Sequence, residues 1–300
     1  MHAKWITPAV TAMDKQGRID MEANKRIYDF LIEKGMDGIL LLGSIGEFFA
    51  IPMEDKKRLI REALSYIDHR VTVYVGTCEM NLEACIGLTN YALEQGADGA
   101  MVISPYYFNL PDNAILHFYD TLAEKACGPL LLYNFPERTG YDLRPELVGQ
   151  LVSRHENIVG IKDTVGTMGH TRALIQKVKK KHPQFLVYSG FDEFFGHNVL
   201  SGGDGCIAGL SNFAPEIAAG YAEWPSMMWP RNLYQSSKKP CICVGCNCNL
   251  SVLPPCLQLQ KRKRRKFKVS LLNQTSYLDF DDQIHFSSEQ NMQKKHKLAV

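Results

Sequence analysis

Residues 33–43 read EKGMDGILLLG and residues 94–104 read EQGADGAMVIS. Each passes from a helix-like stretch into an apolar run through the same junction: a Gly suited to a helix C-terminus, then Asp-Gly, then the run. This is a weak internal repeat of an αβ connection, not a solenoid period. Outward from these two junctions, short β-rich apolar runs recur at 5–10, 38–42, 72–76, 99–103, 129–133, 158–162, 185–189 and 205–208. Between them lie stretches with helical apolar spacing, such as Ile27, Phe30, Leu31 and Met36, or Leu59, Ile60, Ala63 and Ile67. The runs are nearly continuous in apolar character, as expected for parallel strands buried on both faces. Eight such runs with seven intervening helices predict an α/β chain folded as a (β/α)8 TIM barrel. An open doubly wound sheet would usually carry a Gly-rich phosphate turn after its first strand, and PAVTAMDKQG at 8–17 is not one.

The composition agrees with a soluble globular chain: 300 residues, 45% hydrophobic and 22% charged. Collagen, wholesale disorder and disulfide miniproteins are excluded. No apolar stretch approaches the roughly 20 residues a membrane span needs, and residues 1–10 lack the basic-then-apolar order of a secretory signal. The expected compartment is the cytoplasm. The formal charge of +2 hides an asymmetry: residues 1–224 carry 21 Lys and Arg against 28 Asp and Glu, whereas residues 225–300 carry 13 against 4. Five of the nine cysteines crowd between Cys241 and Cys256.

In a barrel the chemistry sits at the C-terminal ends of the strands. Lys162 ends the run NIVGIK and is expected to point into the barrel mouth. An amine with an apolar approach and little water around it gives up its proton more readily and becomes a nucleophile fit for a Schiff base with a carbonyl substrate. The alternatives are a lysine that snorkels to solvent or pairs with Asp163. Tyr133, Tyr107 and Ser44 place hydroxyls at three other strand ends, where a phenol near an imine can exchange the protons of carbinolamine formation and carbon–carbon cleavage. Any one of these tyrosines is otherwise an ordinary packing residue. The GSIGE turn at 43–47 permits close backbone approach, and its N–H groups suit a small carboxylate. Arg138 is either a bidentate clamp for a second carboxylate or a solvated loop arginine. Before residue 225, no metal-ligand spacing or nucleotide fingerprint appears. His170 and His197 lie at helix starts without a nearby Ser or Cys, which argues against a hydrolase.

Together, GSIGEFFAI (43–51), SPYYFNLP (104–111), LLYNFPERTGYDL (131–143), NIVGIKDT (157–164) and GGDGCIAGLSNFAPE (202–216) resemble the pyruvate-dependent class I aldolases. That family includes dihydrodipicolinate synthase, N-acetylneuraminate lyase and the 2-keto-3-deoxy sugar-acid aldolases. The resemblance implies a cytoplasmic homotetramer of TIM barrels that acts on a keto acid without metal or cofactor. Lys162 would form the pyruvate imine and Tyr133 would act as general acid and base. Ser44, Ile45 and Gly46 of the GSIGE turn would hold the pyruvate carboxylate. Tyr107 matches a tyrosine that crosses a subunit interface to complete a hydroxyl relay with Ser44 and Tyr133. Ile207 matches a position whose backbone carbonyl contacts substrate. Arg138 matches the synthases' arginine for the aspartate semialdehyde carboxylate, but the synthases usually carry two Thr where Ser44 and Ile45 stand. TGYDL, GIKDTVGTMGHTRALI and SGFDEFF look closer to the 2-keto-3-deoxy acid aldolases. The expectation is an aldolase that cleaves a 2-keto-3-deoxy sugar acid to pyruvate and an aldehyde, with the synthase as runner-up. A silent sugar-acid sensor is disfavoured because Lys162 and Tyr133 are both present.

After residue 224 the character changes. Prolines interrupt any helix and no apolar period is visible, and relatives of this kind continue here with amphipathic helices. The Cys-x-Cys-x2-Cys-x-Cys cluster lacks a His partner or a second knuckle and only superficially resembles a metal site. The basic run KRKRRKFK (261–268) has no accompanying fold for nucleic acid. Met227-Met228-Trp229-Pro230 fixes the nucleotides ATG ATG TGG CC, which one base earlier encode Asp-Val-Ala, a sequence common where a C-terminal helix begins in the family. Residues 225–300 therefore read as an atypical tail, unstructured or produced by a shift of reading frame.

Overall fold

A computed structural model of the chain describes residues 3–228. Eight parallel strands close into a barrel in the order β1 (Lys4–Pro8), β2 (Gly38–Leu41), β3 (Thr72–Gly76), β4 (Gly99–Ile103), β5 (Leu130–Asn134), β6 (Ile158–Asp163), β7 (Leu186–Ser189) and β8 (Gly205–Ile207). Closure is made by β8 on β1, with Cys206 opposite Trp5 and Ile207 opposite Ile6. The open-sheet alternative is thereby excluded. Strand boundaries move by up to two residues from the apolar runs, most at β1, which ends at Pro8.

The helices are α1 (Met21–Glu33), α2 (Met53–Ile67), α3 (Leu82–Glu94), α4 (Asp112–Lys125), α5 (Pro136–Thr139), α6 (Pro145–Arg154), α7 (Met168–Leu174), α8 (Phe195–Leu200) and α9 (Pro215–Met228). Two helices, not one, join β5 to β6. Gly140, at φ +78°, ends α5 in the left-handed conformation, and Pro145 starts α6 at its first turn. α7 continues into a π-helical turn over Ile175–Lys179. In α2 the expected face is buried in full, Leu59, Ile60, Ala63 and Ile67 among it. In α1 the buried face is Asn24, Tyr28 and Leu31, and Phe30 lies off it, 39% exposed.

Strand alternation divides the core. Met101, Ile103, Leu131, Tyr133 and Tyr188 belong to one buried cluster. Their strand neighbours Ala100, Val102, Leu130, Leu132, Ile161 and Val187 belong to a second, packed with residues of α3, α4, α6 and α7. This is the pattern of a barrel whose strands are buried on both faces.

The repeated Asp-Gly junction has a structural purpose at the N-terminal rim. The Asp37 carboxylate accepts the N–H of Trp5 on β1 at 2.7 Å, and Asp98 accepts that of Val73 on β3 at 2.7 Å. Asp204, in a third copy at Gly203-Asp204-Gly205, accepts that of Val187 on β7, also at 2.7 Å. Each carboxylate thus satisfies a donor at the foot of the preceding strand. The following Gly is required by close approach: a Cβ on Gly38 would meet the Thr72 carbonyl oxygen at 2.7 Å, and one on Gly205 would overlap the backbone of Lys4.

The boundary read at residue 224 falls inside α9, whose backbone is helical from Pro215 to Met228. A proline lacks the backbone donor for one intrahelical bond, and here α9 continues for three residues beyond that gap. The remainder of the tail, with its cysteines and basic run, lies outside the described residues. Among the described residues, no helix is long and apolar enough to cross a membrane.

Candidate active site

Side chains at the C-terminal rim follow from strand register. Tyr133 of β5 lies opposite Lys162 of β6, and Lys162 lies opposite Tyr188 of β7, so the three project to the same side of the sheet. That side is the lumen. Lys162 is 5% exposed, and its Nζ stands 4.4 Å from the centroid of the Tyr133 ring. Lys162 neither reaches bulk solvent nor pairs with Asp163, whose hydrogen bonds run to Asn134, His170 and Thr171.

The hydroxyls of Ser44 and Tyr133 approach to 3.4 Å across the mouth. Ser44 sits in the turn that follows β2, and the backbone of that turn is strained. Leu42 at φ 52° and Glu47 at φ 56° are both left-handed, a conformation disfavoured for such side chains and found where function constrains the chain. Three contacts hold it there. Glu47 N–H donates to the Ser44 carbonyl at 3.2 Å, and Thr11 Oγ1 donates to the Gly46 carbonyl at 2.8 Å. A Cβ at Gly76 would overlap the Leu42 carbonyl, so only glycine lets β3 pass so close to the turn. Ile45 is 43% exposed and lies over Gly209 after β8. Ile207 is the buried last residue of β8.

Aromatic rings continue the site outward. Phe135 stacks beside Tyr133 with centroids 6.1 Å apart and meets Phe191 edge-on at 6.3 Å. The Arg138 guanidinium stands over Phe135 at 5.4 Å. Arg138 is exposed, at the rim, two residue layers from Lys162 along the chain of rings.

Tyr107 is not gathered into this group. It is 79% exposed and packs edge-on against Phe108, 70% exposed, at 4.9 Å. The single chain therefore brings together Lys162, Tyr133 and Ser44, with Ile45, Gly46, Ile207 and Arg138 around them, and holds Tyr107 outside. Its loop follows β4, and the preceding residue, Tyr106, is anchored edge-on to Phe48 at 6.3 Å.

Several residues of the site were not singled out from sequence. Thr164 follows Asp163, is 4% exposed, and its hydroxyl has no hydrogen-bond partner among the described residues. It occupies the space that a side chain on Gly190 would need. Asp192 accepts the Leu210 N–H at 2.9 Å, and burial raises its carboxyl above the ordinary range despite that bond. Behind the strands, Asn134 and Asp163 bind each other, and His170 joins them. Their signal in sequence was the alternation itself, since each follows an inward residue at the same level. Burial lowers the His170 imidazole pKa, but its hydrogen bond to Asp163 and the charges of Asp163 and Asp142 outweigh this and leave it raised. No group of three or more His, Cys, Asp or Glu is placed to hold a metal among the described residues.

Residues 1–224 match the dihydrodipicolinate synthetase family. The Escherichia coli protein YagE, provisionally named a 2-dehydro-3-deoxy-D-gluconate aldolase, is 34% identical over 288 residues, covering 89% of this chain and 95% of that protein. YjhH of the same organism, provisionally named a 2-dehydro-3-deoxy-D-pentonate aldolase, is 39% identical over 220 residues, or 73% of each chain. A 4-hydroxy-tetrahydrodipicolinate synthase of Kosmotoga olearia is 35% identical over 207 residues, covering 69% of this chain and 70% of that protein. Among solved structures, YagE in complex with pyruvate superposes with a TM-score of 0.73 and 37% identity, covering 75% of this chain and 76% of that one.

Proposed function

Because the chain belongs to the dihydrodipicolinate synthetase family and is a carbon–carbon lyase, we propose that it cleaves a 2-keto-3-deoxy sugar acid to pyruvate and an aldehyde through an imine on Lys162. The observation that carries this reading is the buried Lys162 amine facing Tyr133, whose hydroxyl approaches Ser44. The names of YagE and YjhH support the substrate class.

The chemistry follows from the positions. The Lys162 nitrogen attacks the C2 carbonyl carbon, and loss of water from the carbinolamine gives a protonated imine that serves as an electron sink. Tyr133 gives its proton to the carbinolamine hydroxyl as that leaves as water, and the resulting phenolate takes the proton of the C4 hydroxyl. The C3–C4 bond then breaks, the C4 oxygen becomes the aldehyde carbonyl, and the bond electrons flow into an enamine. Protonation at C3 and hydrolysis of the imine release pyruvate and free Lys162. Ser44, 3.4 Å from Tyr133, passes protons to and from the phenol. Backbone N–H groups of the turn around Ser44, Ile45 and Gly46 hold the carboxylate, and the Ile207 carbonyl faces the bound acid. No cofactor beyond the covalent imine is required.

Arg138 at the rim supports a second reading, condensation of pyruvate with aspartate semialdehyde, in which it would bind the second carboxylate. Incubation with 2-keto-3-deoxygluconate or with pyruvate and aspartate semialdehyde, followed by product analysis, separates the two. The exposed Tyr107 and Phe108 suit burial against another copy, which supports the proposed homotetramer with Tyr107 completing a neighbour's relay; the proposed compartment is the cytoplasm. For residues 225–300 the proposal is translation in a shifted frame, and resequencing of the gene tests it: an alternative frame that soon meets a stop would end the idea.

A further inference from the structure

The groups proposed to react stand on the lumen face of two adjacent strand ends. The bonds that hold those ends together lie on the opposite face. Tyr133 is registered with Lys162, and the next residues, Asn134 and Asp163, are registered with each other. Asn134 Nδ2 donates to Asp163 Oδ1 at 2.8 Å and to Asp142 Oδ1 at 2.7 Å, while Asn134 Oδ1 accepts the Leu143 N–H at 3.0 Å. The Asp163 side chain has no exposure to solvent. It also accepts from Thr171 Oγ1 at 2.6 Å and from His170 Nδ1 at 3.0 Å to both oxygens. On the far side of the ring, His170 Nε2 faces the Leu143 carbonyl at 3.1 Å and Asp142 Oδ1 at 3.4 Å. Among the described residues both ring nitrogens therefore meet only acceptors, and the ring satisfies them as the doubly protonated imidazolium.

We propose that Asp163, charge-paired with His170 and tied to Asn134, is a positioning residue that locks the ends of β5 and β6 so that Lys162 and Tyr133 keep their reactive separation. This rests on the reading that Lys162 and Tyr133 carry the chemistry. Among the described residues, no side-chain hydrogen bond runs from the network to either of them. It acts through the backbone: Thr164 N–H donates to the Asn134 carbonyl at 2.8 Å, and Gly190 N–H donates to the Asp163 carbonyl at 2.8 Å, which extends strand pairing past Lys162. A buried polar network is rigid when every member is satisfied and a liability when one is removed. A displacement near 1 Å at a reacting group is enough to cost about a hundredfold in rate.

The test measures kcat, KM and borohydride trapping of pyruvate on the full chain, on Asp163→Asn and on His170→Gln, well below each thermal midpoint. The expected result is a fall in kcat of about tenfold or more with KM within about threefold, together with slower adduct formation on Lys162. Folded variants with kcat within about twofold of the parent, however far the midpoint falls, would overturn the proposal. If Asp163→Asn does not fold, Thr171→Val removes one donor and leaves the charge pair, and a loss of kcat is again expected where an unchanged kcat overturns. A parent that forms no Lys162 adduct refutes the reading of the site and the positioning role with it, an outcome distinct from a reactive parent with indifferent variants.

Discussion

The Lys162 amine lies 4.4 Å from the centre of the Tyr133 ring, and the two residues are paired on neighbouring strands. An amine and a phenol are thus fixed by backbone register before any substrate arrives. Such preorganisation suits the proposed imine chemistry, in which the same phenol serves carbinolamine formation and bond cleavage in turn.

Tyr133→Phe removes the phenolic hydroxyl, the proposed proton carrier, and leaves the ring that packs on Phe135. Cleavage of a 2-keto-3-deoxy acid is expected to slow by about 10²- to 10⁴-fold with little loss of thermal stability. Steady-state kinetics and a melting curve check both halves of this.

Gly190→Ala places a methyl group against the buried Thr164 side chain. Overpacking of this kind costs about 1–3 kcal/mol, and activity should fall because Thr164 flanks Asp163. Adding Thr164→Ala removes the hydroxyl that clashes and should recover part of the loss in denaturant unfolding. No recovery in the double variant would place the strain on the Thr164 Cβ and Cα, which a Cβ on Gly190 also meets at 2.6 and 2.9 Å.

These positions show how far the sequence is legible. The Asp-Gly junctions, the apolar runs and the lysine that ends NIVGIK reveal a barrel and its mouth, because strand period and strand ends are local properties. The split of the β5–β6 connection into α5 and α6 depends on one left-handed residue, Gly140, within a short loop. Phe30 fits a helical period yet lies off the buried face of α1, which Asn24, Tyr28 and Leu31 define against neighbouring elements. The placement of Tyr107 and the partner of Asp163 are long-range facts. Asp163 sits beside Lys162 in sequence but faces the other side of the sheet, where His170 and Asn134 meet it.

The His170 imidazolium should make stability depend on pH. Its folded pKa is raised above the ordinary value, so its contribution is full below about 6.5 and is lost as pH rises through the folded value. Burial opposes the shift, and the Asp163 and Asp142 charges with the Leu143 carbonyl drive it. The difference in melting temperature between the parent and His170→Gln should accordingly shrink as pH is raised from 6 into the alkaline range. A difference that stays constant or grows would contradict the charged pair.

Asp204→Ala strips the Val187 N–H of its acceptor and leaves Lys179 Nζ, bound at 2.8 Å, without its carboxylate. A loss of about 2–4 kcal/mol is expected, with kcat nearly unchanged in the folded fraction because the N-terminal rim is remote from the mouth. Asp98→Ala, for which no lysine partner is at stake among the described residues, should cost less. Urea unfolding of both variants measures the difference.

The central claim is covalent, and it is tested most directly by treating the full chain with pyruvate and sodium borohydride and mapping the product by peptide mass spectrometry. A single reduced pyruvyl adduct on Lys162, lost in Lys162→Ala, is the predicted result. A folded chain that gives no adduct, or one carried by a different lysine, would contradict it.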